Sequence, residues 1–368
     1  MPGSTFGNIF RITTWGESHG AGLGVVVDGC PAGVPLCEED IQIFLDRRKP
    51  GQSKFTTQRK EGDKARILSG VFDGKTTGTP ISIAVMNEDQ RSGDYSEIAK
   101  YYRPGHADYT FDSKYGFRDY RGGGRSSGRE TIGRVAGGAV AMKILESLGI
   151  SVTAYSKSIG SNTINYDNFN IEERDNNPFA MPDAIAAEAV RLEAEKAIEN
   201  LDSIGGVIEC VVKNLPVGLG EPVFDKLDAN LAKAIMSIGA VKGFEIGDGF
   251  KASGLLGSEN NDEFYINDGK VCKKTNHAGG VLGGMSDGSD LIFRAAVKPT
   301  PSIATVQNTV DKDGNNMQIS IKGRHDPMIV PRAVVVVEAM AACTLADLLL
   351  MNMTAKMDYI KEIYKKQD

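Results

Sequence analysis

A run of small residues between positions 130 and 148 is the feature that most constrains the fold of this chain of 368 residues. Its spacing predicts one helix over 130–148, and Gly149 is suited to end that helix. One face carries short or compact side chains: Gly133, Ala136, Gly137, Ala139, Val140, Ala141 and Ile144. Because few atoms project from this face, we expect the helix to pack closely against another helix or a sheet.

Short strands and helices alternate along the chain without the regular order of a doubly wound sheet. Hydrophobic spacing predicts strands at 6–13, 21–29, 65–74, 79–87, 206–213, 290–297 and 316–322. It predicts further helices at 38–48, 182–200, 223–238 and 332–353. Hairpins followed by single helices are typical of an α+β fold. Residues 253–275 are expected to form an exposed excursion, and no convincing internal repeat is visible.

Composition argues against several classes of function. The formal net charge of −6 argues against general nucleic-acid binding. The longest apolar runs, at 334–337 and 345–353, are far shorter than the ~20 residues of a membrane span. The five cysteines lack CxxC or Cys/His spacing, so neither a metal site nor a disulfide framework is expected. Residues 1–16 carry no targeting pattern, and we expect a cytoplasmic protein.

Residues 87–127 form a long stretch rich in Gly, Asp, Tyr and Arg with little periodicity. Loops longer than ~12–15 residues in a compact chain are usually functional or disordered. Disordered segments are poor in aromatic residues, whereas this stretch contains several. We therefore interpret it as an ordered ligand-binding loop.

The segment YRGGGRSSGRET, residues 120–131, joins that loop to the first predicted helix. Three glycines are followed by Arg125, Ser126 and Ser127 just before the helix begins, where backbone N–H groups and the helix dipole favour an anion. Guanidinium groups add charge-assisted donors. The segment therefore predicts a phosphate site, with a flexible glycine-rich hinge as the alternative. It matches neither a Walker loop nor a dinucleotide fingerprint.

Two of the four histidines lie in glycine-containing turns. His19 lies in GESHG (16–20), and His106 lies in RPGHAD (103–108). Glycine permits close approach of the backbone to a ligand, and imidazole titrates near neutral pH. Both histidines are candidate acid–base groups, and a solvated or structural turn histidine is the alternative for each.

Three further motifs lie nearer the C-terminus: NHAGGVLGGMSDG (276–288), KPTPSI (298–303) and GRHDPMIVPR (323–332). The paired glycines of the first motif indicate backbone packed against a planar or phosphorylated ligand, with a glycine-rich crossover under a sheet as the alternative. Arginines on both sides of Asp326 would keep that carboxylate ionised. The basic stretch 47–66 either contributes charge for anionic groups or forms a solvated face.

Together with DSIGG at 202–206, these motifs resemble the chorismate synthase family, whose motif order they follow from residue 6 to about residue 345. The resemblance implies a 1,4-anti elimination of phosphate from 5-enolpyruvylshikimate-3-phosphate. The product would be chorismate, at the last common step of the shikimate pathway to aromatic amino acids. Reduced FMN is implied as a cofactor, although the reaction has no net redox change.

The resemblance also implies an architecture and an assembly. The fold would be a helical core sandwiched between antiparallel β-sheets, in a single domain spanning 1–368. Long active-site loops would lie at about 47–66, 87–127, 276–289 and 298–331. A homotetramer is implied, and either NADPH or a separate flavin reductase would keep the flavin reduced.

Roles carry over from the family to matching positions. His19 matches the histidine that protonates the departing phosphate, and His106 matches the one that protonates or stabilises the reduced flavin. Asp326 matches a carboxylate that assists proton transfer at flavin N5, and Ser18 and Ser127 match hydroxyls of a proton relay. The FMN contacts carry over to Arg125, Ser126, Ser127, Gly239, Ala240, Gly283, Lys298, Pro299, Thr300, Pro301, Ser302 and Arg324.

Arg48 and Lys54 match positions that contact NADP, and Arg48 would also bind substrate carboxylates and phosphate. Lys54 is more often Arg in the family, and Pro301 stands where Ser is common, which removes one hydroxyl contact to the FMN phosphate. No role carries over to Glu17, His277 or His325. The alternative functions are a phosphate-sensing binding module, which has no need of two loop histidines, and a hydrolase, for which a GxSxG motif is missing.

Overall fold

The computed structural model describes residues 3–56, 61–87, 97–121, 123–321 and 326–365. Its helices are α1 (Glu38–Arg48), α2 (Asp108–Tyr115), α3 (Thr131–Ser147), α4 (Glu173–Asn176), α5 (Ala184–Glu199), α6 (Leu227–Met236), α7 (Gly257–Asn260), α8 (Val330–Asn352) and α9 (Met357–Ile363). Its strands are β1 (Thr5–Phe6), β2 (Arg11–Gly16), β3 (Gly22–Asp28), β4 (Ala65–Ile67), β5 (Val71–Phe72), β6 (Lys75–Thr76), β7 (Ile81–Met86), β8 (Ser151–Ile159), β9 (Asn162–Thr163), β10 (Gly206–Lys213), β11 (Val241–Ile246), β12 (Phe264–Asn267), β13 (Lys270–Lys273), β14 (Val281–Leu282), β15 (Met285–Ser286), β16 (Leu291–Val297), β17 (Gln307–Val310) and β18 (Asn316–Ile319).

Two antiparallel sheets of five strands each form the outer layers of the fold. The first sheet has the order β1-β2-β3-β7-β4, and the second has the order β9-β8-β10-β16-β11. Four further pairs of strands form separate hairpins: β5–β6, β12–β13, β14–β15 and β17–β18. Along β2 and β16 buried residues alternate with more exposed ones, as the period of two in a strand requires, whereas β3 is buried along most of its length.

Helices α3 and α8 pack against each other between the two sheets. Helix α3 contacts β2 and β3, whereas α8 contacts β8 and β10. Helix α1 lies beside α3, and α6 lies beside α8. The expected α+β fold, with a helical core sandwiched between antiparallel sheets, is confirmed.

The two halves of the chain share one order of elements, although no repeat is visible in the sequence. In the first half α1 follows β3 and α3 follows β7, whereas in the second half α6 follows β10 and α8 follows β16. The halves share the order of their strands and helices, not residue identities. A search for similar residues therefore misses the repeat that the topology shows.

Helix α8 is long and apolar enough to cross a membrane by length and composition alone, with a mean hydropathy of 2.1. Inside the fold, 83% of that stretch is buried. Because α3, α6 and the second sheet surround it, its apolar surface is what a central core helix requires.

The small-residue face of α3 allows its close packing, as the sequence predicts. A Cβ at Gly133 would lie 2.8 Å from the carbonyl oxygen of Gly24 in β3. A Cβ at Gly138 would lie 2.3 Å from the Cβ of Ala339 in α8. Glycine at these positions therefore brings α3 close to the sheet on one side and to α8 on the other.

The expected strand 6–13 is interrupted, because a buried carboxylate accepts hydrogen bonds from the backbone in its first part. The backbone N–H groups of Asn8, Ile9 and Phe10 donate to Asp347 of α8 at 2.8, 2.7 and 3.0 Å. These groups are therefore unavailable for pairing in a sheet. Strand β2 instead begins at Arg11 and continues to Gly16.

Several elements were not anticipated. The 87–127 stretch contains α2, and the 253–275 excursion contains the hairpin β12–β13. Helix α2 has no apolar stripe, and its first residue, Asp108, accepts hydrogen bonds from Arg103. The hairpin turns at Asp268 and Gly269, a dipeptide that often forms such turns. Strands β8 and β11 were also missed.

We expect Gly138→Ala to lower the free energy of unfolding by about 1–3 kcal/mol, the usual cost of overpacking a core. The added methyl group would clash with Ala339, and this outweighs the gain in helix propensity of about 1 kcal/mol. Denaturant unfolding would measure the effect. Gly257→Ala in α7 is the control, since its Cβ would have no neighbour within 4 Å. Equal stability of the two variants would contradict the packing assigned to α3 and α8.

Candidate active site

Arg48, the last residue of α1, is a buried charge of the candidate site, with 1% of its surface exposed. Its Nη2 donates to Oδ2 of Asp63 at 2.8 Å, and its Nη1 lies 3.4 Å from the Gly128 carbonyl oxygen and the Thr131 hydroxyl. The carbonyl oxygen of Arg48 accepts a 3.0 Å hydrogen bond from Nε of Arg332. Burial lowers the pKa of Arg48 to about 10.

These contacts bring the N-termini of α3 and α8 to one place. Thr131 opens α3, and Arg332 lies in the first turn of α8. Gly138 of α3 contacts Ala339 of α8, and each of these residues lies about two to three turns after the start of its helix. The two helices therefore run parallel. The positive ends of both helix dipoles therefore converge beside Arg48 and favour an anion there.

Arg129 connects this region to the turn that carries His19. Its Nη2 donates to Oδ1 of Asn87 at 2.7 Å, and its Nη1 lies 3.2 Å from Oδ1 of Asp63. The side-chain amide of Asn87 in turn donates to the carbonyl oxygens of Glu17 and Gly20 at 3.1 and 2.8 Å. We call Arg48, Asp63, Arg129 and Arg332 the Arg48 cluster.

The histidine turn itself is buried, and the glycine-rich segment holds it. Ser18 and His19 are 5% and 8% exposed, so the solvated-histidine alternative is wrong for His19. Arg125 donates to the carbonyl oxygens of Thr14 and Gly16 at 3.1 and 3.0 Å. In this structure the Arg125 guanidinium therefore supports the end of β2. The Ser127 hydroxyl accepts from the N–H of Arg129 at 3.3 Å, whereas Ser126 is exposed.

A second group of residues forms around His106. Nε2 of His106 lies 2.6 Å from the hydroxyl of Ser302. Nζ of Lys298 donates to the carbonyl oxygen of Gly105 at 3.0 Å, and Pro301 packs against the same glycine. Burial, together with the nearby Lys242, lowers the pKa of the Lys298 ammonium group. We call His106, Lys298, Thr300 and Ser302 the His106 cluster.

Buried ion pairs hold the RPGHAD turn in place. Nε and Nη2 of Arg103 each donate to the Asp108 carboxylate at 2.8 Å, and Arg118 lies 3.7 Å from it. Burial alone would raise the pKa of Asp108, but its hydrogen bonds with Arg103 hold that pKa below its usual value. The carboxylate therefore stays ionised at neutral pH and braces the backbone around His106.

The DSIGG segment bridges the two clusters. The Ser203 hydroxyl donates to the Thr300 carbonyl oxygen at 2.6 Å, and the N–H of Ile204 donates to the Pro327 carbonyl oxygen at 3.0 Å. Pro327 follows Asp326, whose carboxylate accepts from Nη1 of Arg332 at 2.6 Å. A continuous set of bonds therefore leads from the His106 cluster to the Arg48 cluster.

Four buried polar atoms of these clusters make no hydrogen bond within the described part of the chain: Nε of Arg48, Nε of Arg129, Oγ1 of Thr300 and Oδ1 of Asp63, which has only the 3.2 Å ion-pair contact with Arg129. Buried polar groups in native proteins are nearly always paired. The two guanidinium donors of the Arg48 cluster fit an acidic ligand there, and the Thr300 hydroxyl can bond to a ligand at the His106 cluster.

The remaining candidate residues are distributed as follows. Ala240 accepts from the N–H of Lys298 at 2.9 Å, which brings 239–240 beside 298–302. Gly283 lies in the β14–β15 turn, and the next residue, Gly284, accepts from the N–H of Leu227. Leu227 begins α6, whereas Ala240 follows the end of that helix. The structure therefore does not bring Gly283 to the other predicted FMN contacts within one chain.

The ion pair of Lys54 is with a residue outside both clusters. Its exposed ammonium group pairs with Glu195 of α5 at 2.8 Å. Arg324 and His325 fall outside the described residues. His277 has a partner in Asp248, whose Oδ2 lies 2.8 Å from its Nδ1.

Sequence reasoning missed Asp63, Asn87 and Ser203, three polar residues that join the motifs together. Asp63 precedes β4 and Asn87 follows β7, and neither residue belongs to a motif. Only Ser203 carried a signal, since it lies in the DSIGG motif. The partners of a buried polar side chain come from distant segments, and no local pattern identifies them.

Comparison with known proteins agrees with this geometry. The family model for chorismate synthase matches residues 10–350. A chorismate synthase of Lachnospira eligens is 72% identical over 366 residues, and one of Agathobacter rectalis is 69% identical over 366 residues. Each of these matches covers 100% of both chains.

A solved crystal structure of a chorismate synthase has the same fold. It is 32% identical, covers 98% of this chain and 97% of its own, and superposes with a TM-score of 0.77. The resemblance inferred from the motifs is therefore confirmed over nearly the whole chain. This chain belongs to the chorismate synthase family.

Proposed function

We propose that the two clusters form one active site that eliminates phosphate from 5-enolpyruvylshikimate-3-phosphate and gives chorismate. The family's members are carbon–oxygen lyases of aromatic amino acid biosynthesis, and their substrate carries a phosphate and two carboxylates. The observation that supports this assignment most strongly is the meeting of two helix N-termini at the buried Arg48. A site with that field suits a substrate of several negative charges.

The Arg48 cluster would bind the substrate through its acidic groups. Arg48 and Arg129 each keep one buried N–H donor unpaired within the described residues, so each can donate to a ligand oxygen. Arg332 contributes a third positive charge at the start of α8. Low exposure strengthens these interactions, because little water competes for the donors.

His19 would act as the acid for the departing phosphate. The backbone of its turn is tied through Asn87 to Arg129, which supports including His19 in the same site as the cationic donors. Histidine is the side chain most often used as a general acid or base in enzymes. Ser18, equally buried, would support the proton relay.

Reduced FMN would contact both the His106 cluster and the glycine-rich segment, at Arg125, Ser126, Ser127, Gly239, Ala240, Lys298, Pro299, Thr300, Pro301 and Ser302. When bound, the reduced flavin supplies electron density that assists departure of the phosphate without net redox change. His106, held by Ser302 at 2.6 Å, would donate a proton or hydrogen bond to the cofactor. Asp326 stays positioned by Arg332 at 2.6 Å and would accept a proton from the cofactor or substrate.

Assembly and cellular setting complete the proposal. We expect a homotetramer in the cytoplasm, and Gly283 and Arg324 remain expected FMN contacts. Arg48 and Lys54 would contact NADPH if this protein reduces its own flavin. A separate flavin reductase is the alternative source of reduced cofactor.

Turnover with reduced FMN under anaerobic conditions tests the proposal. The wild-type protein should form chorismate and release phosphate, followed by absorbance and a phosphate assay. His19→Ala and His106→Ala should each lower kcat by about 10²- to 10⁴-fold, the range for general acid–base groups. A folded wild-type protein that binds FMN without turnover would favour the binding-module alternative.

His277→Ala is the matched control for the histidine variants. Its imidazole bonds to Asp248 rather than to either cluster, so this variant should keep most of the wild-type rate. Wild-type activity in His19→Ala would remove that residue from the mechanism, and the same result in His106→Ala would remove His106.

Thr300→Val tests the flavin contact separately from catalysis. The substitution keeps the shape of the side chain but deletes a buried hydroxyl that has no partner within the described chain. We expect FMN affinity to fall about 10- to 100-fold, because a hydrogen bond to a charged group contributes about 1.5–3 kcal/mol. The stability of the flavin-free protein should not fall. Fluorescence titration and denaturant unfolding would measure the two effects, and unchanged FMN affinity would contradict the assignment.

A further inference from the structure

Asp63 occupies the centre of the Arg48 cluster, and its side chain is 0% exposed. Each of its carboxylate oxygens faces a different arginine. Oδ2 lies 2.8 Å from Nη2 of Arg48, and Oδ1 lies 3.2 Å from Nη1 of Arg129. One carboxylate therefore connects two guanidinium groups that come from different segments of the chain.

The two arginines would repel each other without this carboxylate. Arg48 lies at the end of α1 and Arg129 lies just before α3, and Arg332 adds a third positive charge beside them. Glu61 also lies near this group, 3.7 Å from Arg129. Asp63 is closer to both Arg48 and Arg129, so its charge compensates both of them.

The geometry also leaves suitable donors for a ligand. Asp63 bonds to Nη2 of Arg48 and pairs with Nη1 of Arg129, whereas Nε of each arginine has no hydrogen-bond partner in the described ranges. The carboxylate thus constrains the orientation of both guanidinium groups without occupying these two donors. A negatively charged ligand can then meet two oriented donors instead of ordering two mobile side chains.

We propose that Asp63 is a positioning residue that fixes the spacing and orientation of Arg48 and Arg129 for the acidic groups of the substrate. It acts through the two arginines and does not touch the substrate itself. This inference rests on the proposed function, because it assigns substrate binding to the Arg48 cluster.

Asp63→Asn is the informative substitution. Asp63 has a φ of 43°, in the left-handed region that asparagine also tolerates. The amide oxygen can accept from one guanidinium, but the amide nitrogen is a donor and would face the other. One arginine is therefore released while the size of the side chain is kept.

Asp73→Asn is the matched control. Asp73 has a φ of 47° and an exposed side chain in the turn between β5 and β6. The same atoms change at a similar backbone conformation, but outside the Arg48 cluster. Asp63→Glu is the conservative variant, since it keeps the negative charge and adds one methylene group.

Steady-state kinetics with reduced FMN would compare the variants with the wild-type protein. We expect Asp63→Asn to raise KM for the substrate on the order of 10- to 100-fold, the effect of losing one charge-assisted interaction. Asp63→Glu should recover part of that loss, and Asp73→Asn should match the wild type. FMN affinity should change less than KM, because Asp63 itself contacts none of the described residues proposed to bind FMN.

Each outcome decides the inference. If wild-type protein turns over and Asp63→Asn has the KM of Asp73→Asn, Asp63 has no positioning role. If Asp63→Asn and Asp63→Glu both fail to fold, Asp63 serves the fold rather than the site, and the inference is overturned. If the wild-type protein itself shows no turnover, the proposed function fails first and the inference fails with it.

Discussion

The convergence of two parallel helices on one buried arginine is the constraint on which the rest of the structure depends. Parallel packing aligns the dipoles of α3 and α8, so their positive ends lie together at Arg48. Small residues make this possible, because Gly138 brings α3 against Ala339 of α8. The buried carboxylate of Asp63 and the half-buried carboxylate of Asp326 balance part of the positive charge, and a site that favours a negatively charged ligand remains.

The repeated topology explains why two groups of residues meet at this end of the fold. Arg48 closes α1 and Asn87 follows β7, and the matching positions in the second half carry Ala240 after α6 and Lys298 after β16. Most of the proposed substrate side is therefore built from the first half of the chain, with Arg332 added from the second, and most of the proposed flavin side comes from the second half. The DSIGG segment and His106 then join the halves.

Much of the fold could be predicted from the sequence, because the apolar runs of the central strands and the small-residue helix are local patterns. Strand 206–213 and helix 38–48 have the predicted bounds. Helix α2 could not be predicted, since its first turn depends on Arg103 and Arg118 rather than on an apolar stripe. In the candidate site the motifs located the histidines, but the roles of Arg125 and Asp63 depend on partners distant in sequence.

A crystal structure with oxidised FMN and substrate would test the central claim most directly, namely that both ligands share one site between the helix N-termini. The account predicts that acidic groups of the substrate lie within hydrogen-bond distance of Nε of Arg48 and Nε of Arg129. It also predicts the flavin against His106 and Ser302, next to the substrate. Electron density for the substrate away from the Arg48 cluster, or for the flavin away from the His106 cluster, would contradict it.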